Sequence, residues 1–146
     1  MTGGVRRLDT RLSPVPRSAA DARTFVTRAL RSWALPEQLI TDIVLAASEL
    51  VTNAVEHGRG EVAVELWFDG ACLRLRVGDE GGARPVLRPR DPTSPRGRGL
   101  AIIDAIASAW GHQAAGGGKW VWAEFPLPDQ ATGFVHLPNS RHTSSS

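Results

Sequence analysis

The segment ELVTNAVEHG sets Glu49 and Asn53 four residues apart, which on a helix stacks the two side chains on one face. At helical spacing that face lies roughly opposite an apolar stripe of Leu39, Ile40, Ile43, Val44, Ala47, Leu50, Val51, Ala54 and Val55. A solvated polar face is the ordinary account of such a pair. The chemical account gives Glu49 a proton to take as general base and Asn53 a magnesium ion to hold through its amide oxygen.

Two further segments have chemical potential. In VGDEGG, Asp79 leaves an alternating strand beside Gly81 and Gly82. An Asp there starts a turn in many proteins, but its carboxylate also suits an exocyclic amine such as that of adenine, and glycine lets a base approach the backbone. In PRGRGLAII, Gly97 and Gly99 open a helix. Glycine before a helix often only turns the chain, yet free amides at a helix N-terminus together with Arg96 and Arg98 make a natural phosphate site. Neither known glycine-rich fingerprint applies. No strand immediately precedes Gly97, and Lys119 of GGGKW is followed by Trp120 and a strand.

The elements that must position these residues follow from periodicity. Val5 to Leu12 reads as an edge strand before Pro14 and Pro16. Ser18 with Asp21 resembles a capping box, and Ala22, Phe25, Val26, Ala29, Leu30 and Trp33 repeat at helical spacing. Glu37 to His57 is the most regular helix, with Gly58 placed to end it. EVAVELWF and CLRLRV alternate on either side of Asp69 and Gly70, as a β-hairpin does. Residues 80 to 98 read as a long proline-rich loop, Gly99 to Trp110 as a helix stopped by Gly111, and Trp120 to Phe125 as a last strand. Residues 1–14 form an N-terminal segment, 15–128 one domain, and the polar stretch 129–146 is expected to be a flexible tail.

Composition narrows the class. The 146 residues, 42% hydrophobic and 22% charged, suit one folded domain. No run approaches the roughly 20 apolar residues of a membrane span, so a cytoplasmic protein is expected. Cys72 is the only cysteine, and a buried inert thiol is its simplest reading. The four histidines lack metal-ligand spacing. The pI is near 9.5, but the formal charge is only +2 and the arginines are dispersed, which argues against nucleic acid as the partner.

In this order and at these separations the three segments resemble the N, G1 and G2 boxes of the GHKL superfamily of gyrase-like, chaperone and histidine-kinase ATPase domains. More narrowly, SELVTNAVEHG, VGDEGG, RGRGLAIIDAIASAWG and GGGKWVW resemble its anti-sigma serine kinase branch. The resemblance implies an α+β fold of the Bergerat type, a two-layer α/β sandwich with a mixed, mostly antiparallel sheet and three helices on one face. It implies ATP and Mg2+ as cofactors. Glu49 would then be the catalytic base, Asn53 the magnesium ligand, Asp79 the adenine contact and Gly81 its backbone companion. Gly97, Arg98, Gly99 and Leu100 would face the phosphates. Two departures stand out: Ala83 follows Gly82 where the superfamily often has another glycine, and the lid is short and proline-rich. A small lid implies an exposed nucleotide or a partner that closes the site.

The function so implied is a stand-alone serine/threonine kinase acting as an anti-sigma factor, with a sigma factor and an antagonist protein as partners and a homodimer as its assembly. The alternative is a sequestration protein that uses ATP as a structural ligand or uses none. A basic nucleic-acid-binding module ranks below both, since no recognised motif supports it.

Overall fold

The computed structural model describes residues 4–81 and 95–128. In chain order the described elements are β1 (Arg6–Leu12), α1 (Ser18–Ser32), α2 (Glu37–His57), β2 (Val62–Phe68), β3 (Cys72–Asp79), α3 (Pro95–Ile106), β4 (Ala109–Ala115) and β5 (Gly118–Pro126). The proline-rich loop expected over residues 80 to 98 falls largely outside the described residues, its last four residues belonging to α3, and the tail from 129 onward lies outside them too.

Alternation dictates which side of the sheet meets the helices. Val62, Val64, Leu66 and Phe68 of β2 are buried while Ala63, Glu65 and Trp67 face the other way, and Leu73, Leu75 and Val77 repeat the pattern in β3. Each such side chain, fully buried, contributes about 1.5 to 3 kcal/mol relative to exposure. The strands form one sheet in the order β1-β2-β3-β5-β4. Every pairing in it is antiparallel, so the parallel component that "mixed" would require does not occur among the described strands.

All three helices pack on one face. α2 is central: it touches β2, β3 and β5, with α1 along one flank and α3 along the other. By length and composition α2 could cross a membrane, but Ile43, Ala46, Ala47, Leu50 and Val51 are spent on the protein core. Trp33 of the α1–α2 connection stacks on Phe68 with ring centroids 6.1 Å apart. The opposite face of the sheet carries three arginine–tryptophan stacks, Arg7 over Trp67, Arg74 over Trp122 and Arg76 over Trp120, at 4.6, 4.9 and 4.2 Å.

Three local expectations are corrected. Ser18 does not cap α1: Arg17 occupies the cap position without a side-chain bond, and the Ser18 hydroxyl donates to the Ser13 carbonyl at 2.6 Å. The helix expected over Gly99 to Trp110 begins at Pro95 and ends at Ile106. Trp110 and Gly111 instead belong to β4, which was not anticipated, because AWGHQAA has no clean apolar alternation. The signal for β4 lies in its turn. Gly116 and Gly117 both have positive φ, 54° and 87°, and join Ala115 to its partner Gly118 as a two-residue hairpin loop. Cys72, expected to be buried, is half-buried, and burial together with the negative charge of Glu124 pushes its thiol pKa up.

Candidate functional site

Helix α2 is the platform of the site. Ser48 accepts a hydrogen bond from Arg23 of α1 at 2.8 Å, which identifies the α1 flank. Glu49 and Asn53 are turned about 100° and 140° around the axis from Ser48, away from α1, on a helix that α3 also packs against. Both are half-buried. Glu49 lies only about 20° around the axis from Glu56 and about 40° from Leu45, beside the exposed face that Gln38, Thr41, Leu45 and Glu56 mark and roughly opposite the core stripe, as its spacing predicts. The partial burial of Glu49 and Asn53 is tertiary in origin, since a helix flanked by two others buries more than one stripe.

The flank of Glu49 and Asn53 has chemistry along its length. Burial, and secondarily the negative charge of Glu56, raise the Glu49 pKa above the ordinary 4.5, the direction that makes a carboxylate a better base near neutrality. His57 continues the row one turn beyond Asn53. Its Nε2 is buried and has no hydrogen-bond partner among the described residues. Nothing in the spacing of the histidines marks His57, since none of them is set at metal-ligand intervals.

Asp79 closes the end of the site. Its side chain is 2% exposed. Oδ1 accepts the Gly81 amide at 2.7 Å and the Arg59 amide at 3.4 Å, while Oδ2 accepts Lys119 Nζ at 2.7 Å. Gly58, which follows the last residue of α2, has extended backbone, not the left-handed conformation of a usual helix-ending glycine. It is glycine for a different reason: a Cβ would overlap the Asp79 carboxyl group and the Ala54 carbonyl. At Gly81, a Cβ would crowd Asp79 Oδ1 and Arg59 at 3.1 to 3.3 Å. The structure thus brings Asp79 and Gly81 to the C-terminal end of the helix that bears Glu49 and Asn53. Lys119, the buried partner of Asp79, was missed because it was weighed only as a phosphate-loop lysine.

Helix α3 supplies the remaining residues. Because it starts at Pro95, a favoured first position, Gly97 falls in the first turn, where backbone amides have no intrahelical acceptor. Gly99 and Leu100 fall in the second turn and do not open the helix as expected. Leu100 packs against the core, so its side chain is structural. The side chain of Arg98 lies outside what is described.

The residues fit a magnesium nucleotide in kind: an amide and a carboxylate on one helical flank, an orphaned imidazole nitrogen, glycines with no room for a Cβ, and free amides at a helix start. Such a set, on an antiparallel sheet covered by three helices, defines a class of nucleotide-binding domain. Residues 12–125 match the family model of the histidine kinase-like ATPase domain, and the chain belongs to that family, within the GHKL superfamily. Among solved structures it is similar to the RsbU and RsbW domains of Rv1364c from Mycobacterium tuberculosis, with 28% identity and a TM-score of 0.62. That likeness covers 84% of this chain and 32% of the other, so the chain spans about a third of the larger protein.

Proposed function

We propose that this chain is an ATP-binding regulator that phosphorylates a serine or threonine of a partner protein, and that it inhibits a sigma factor as the coupled output. The observation that carries the reading is the apposition of Gly58 to Asp79, which joins the helix of Glu49 and Asn53 to the strand end suited to a base. Family membership supports ATP as the ligand. The likeness to a protein with an RsbW domain supports a partner-switching role. Bound ATP with Mg2+ would supply the transferable phosphoryl group. Asn53 would hold the metal, Glu49 would take the proton of the attacking hydroxyl, and the Gly97 amide would face phosphate oxygens. Homodimerisation and a cytoplasmic location belong to the same proposal.

One observation favours the second reading, a sequestration protein that works without nucleotide: the carboxylate suited to adenine already holds a buried lysine. Incubation with γ-labelled ATP, Mg2+ and candidate antagonist proteins separates the two. Label on a partner serine or threonine supports the kinase. Binding of partner with no uptake of ATP supports sequestration.

A further inference from the structure

We propose that Lys119 is a second base-reading residue, donating a hydrogen bond to the purine ring nitrogen next to the exocyclic amine that Asp79 accepts. The inference rests on the nucleotide-binding reading and deepens it. Lys119 stands directly opposite Asp79 in the β3–β5 register, with Nζ 2.7 Å from Oδ2 and the two side chains 9% and 2% exposed. A pair this buried is a poor way to stabilise a fold, because desolvation offsets much of the attraction and apolar residues of similar size do as well. Its placement therefore calls for another explanation.

The unused valences supply one. An ammonium carries three N–H donors, and among the described residues one of them is accounted for by Asp79. Oδ1 is filled by the amides of Gly81 and Arg59, whereas among the described residues Oδ2 accepts only Lys119, which leaves it a second lone pair. The pair thus offers an acceptor and a donor side by side. Adenine offers the complement on one edge, with its amine as donor and the adjacent ring nitrogen N1 as acceptor.

The surroundings hold the pair in register. Gly118 lies so close to β3 that a Cβ would overlap the Asp79 carbonyl oxygen, and the Trp120 indole covers Gly78 on the outer face of the sheet. Lys119 is thereby confined to the helix side, where Asp79 and the flank of Glu49 and Asn53 lie.

The test compares ligands on the wild-type protein, so no variant need fold. Calorimetric titration with ATP, 1-deaza-ATP (which replaces N1 by C–H) and 7-deaza-ATP (altered on the opposite edge) should show 1-deaza-ATP weakened roughly 10- to 100-fold, the range for a hydrogen bond to a charged donor. The 7-deaza analogue should bind as ATP does. Lys119→Met should bind ATP and 1-deaza-ATP alike. Equal binding of ATP and 1-deaza-ATP by the wild type overturns the role of Lys119 alone. Tighter ATP binding by Lys119→Met also overturns it, making the lysine a blocking counter-ion. Failure of the wild type to bind ATP overturns the nucleotide reading as well.

Discussion

Gly58 packs against the Asp79 carboxyl group so closely that any Cβ at position 58 would overlap it. This contact couples helix α2 to the end of β3, and the whole candidate site depends on it. Gly58→Ala should destabilise the protein by about 1 to 3 kcal/mol, the usual cost of overpacking, and should weaken ATP binding along with stability. Gly4→Ala, at a position with nothing nearby, should change neither. Urea denaturation of the two variants checks this; equal stability would show that the helix end and the carboxylate do not share the space.

Glu49 provides a pH signature. Its pKa is raised by burial and by the charge of Glu56, and a base works only when deprotonated. The acid limb of kcat/KM for phosphoryl transfer should therefore fall above the ordinary 4.5. Glu56→Gln removes one raising cause and should move that limb to lower pH with little change in the plateau. A limb that stays in place would assign it to another group.

Glu65 makes the opposite prediction, for stability. Burial alone would raise its pKa, but hydrogen bonds from Arg76 and Trp67 and the charges of Arg76 and Arg7 outweigh burial and lower it below 4.5. The Arg76 bonds are short, 2.7 and 3.1 Å. A carboxylate with a depressed folded pKa stabilises above its unfolded pKa and loses that contribution as pH falls through the folded value. Stability should thus decline below about pH 4.5, and Glu65→Gln should flatten that decline. Denaturation midpoints across the acid range measure it, with parallel curves for both proteins as the contrary result.

Ala34 links α1 to α2 with φ of 58°, a left-handed conformation that glycine usually supplies at helix ends. The Leu35 amide bonds the Leu30 carbonyl at 3.1 Å across it. Ala34→Gly should stabilise the protein by about 0.5 to 1 kcal/mol, since relief of the strain exceeds the added chain entropy. Thermal unfolding reads the change, and a lower midpoint would contradict it.

The central helix and the β2–β3 hairpin were legible because a regular period extends over many residues: the stripe from Leu39 to Val55, and the alternation on both sides of Asp69 and Gly70. β4 was not, since Trp110 continues the helical spacing of Leu100, Ile103 and Ile106 while pairing as a strand; its Nε1 bonds Asp104 at 2.9 Å, tying strand to helix. Candidate site residues on one helix, such as Glu49 and Asn53, show themselves by spacing. The pairing of Asp79 with Lys119 joins positions 40 residues apart, and only the register of β3 against β5 makes it visible. The role of Gly58 was hidden for a similar reason: its position suggested a helix stop, whereas its neighbour across the fold requires the missing side chain.

If Glu49 and Asn53 are working parts of a phosphoryl-transfer site, single-turnover transfer from ATP to a partner serine or threonine, paired with ATP affinity, separates their roles. Glu49→Ala should leave ATP binding nearly intact and slow transfer by roughly 100- to 10,000-fold, because a general base acts only as the hydroxyl loses its proton. Asn53→Ala should impair both binding and transfer, because a metal ligand acts in the ground state and the transition state alike. Similar, mild losses in both variants, or a wild-type protein that binds ATP and transfers nothing to any verified partner, would contradict the kinase and leave sequestration in its place.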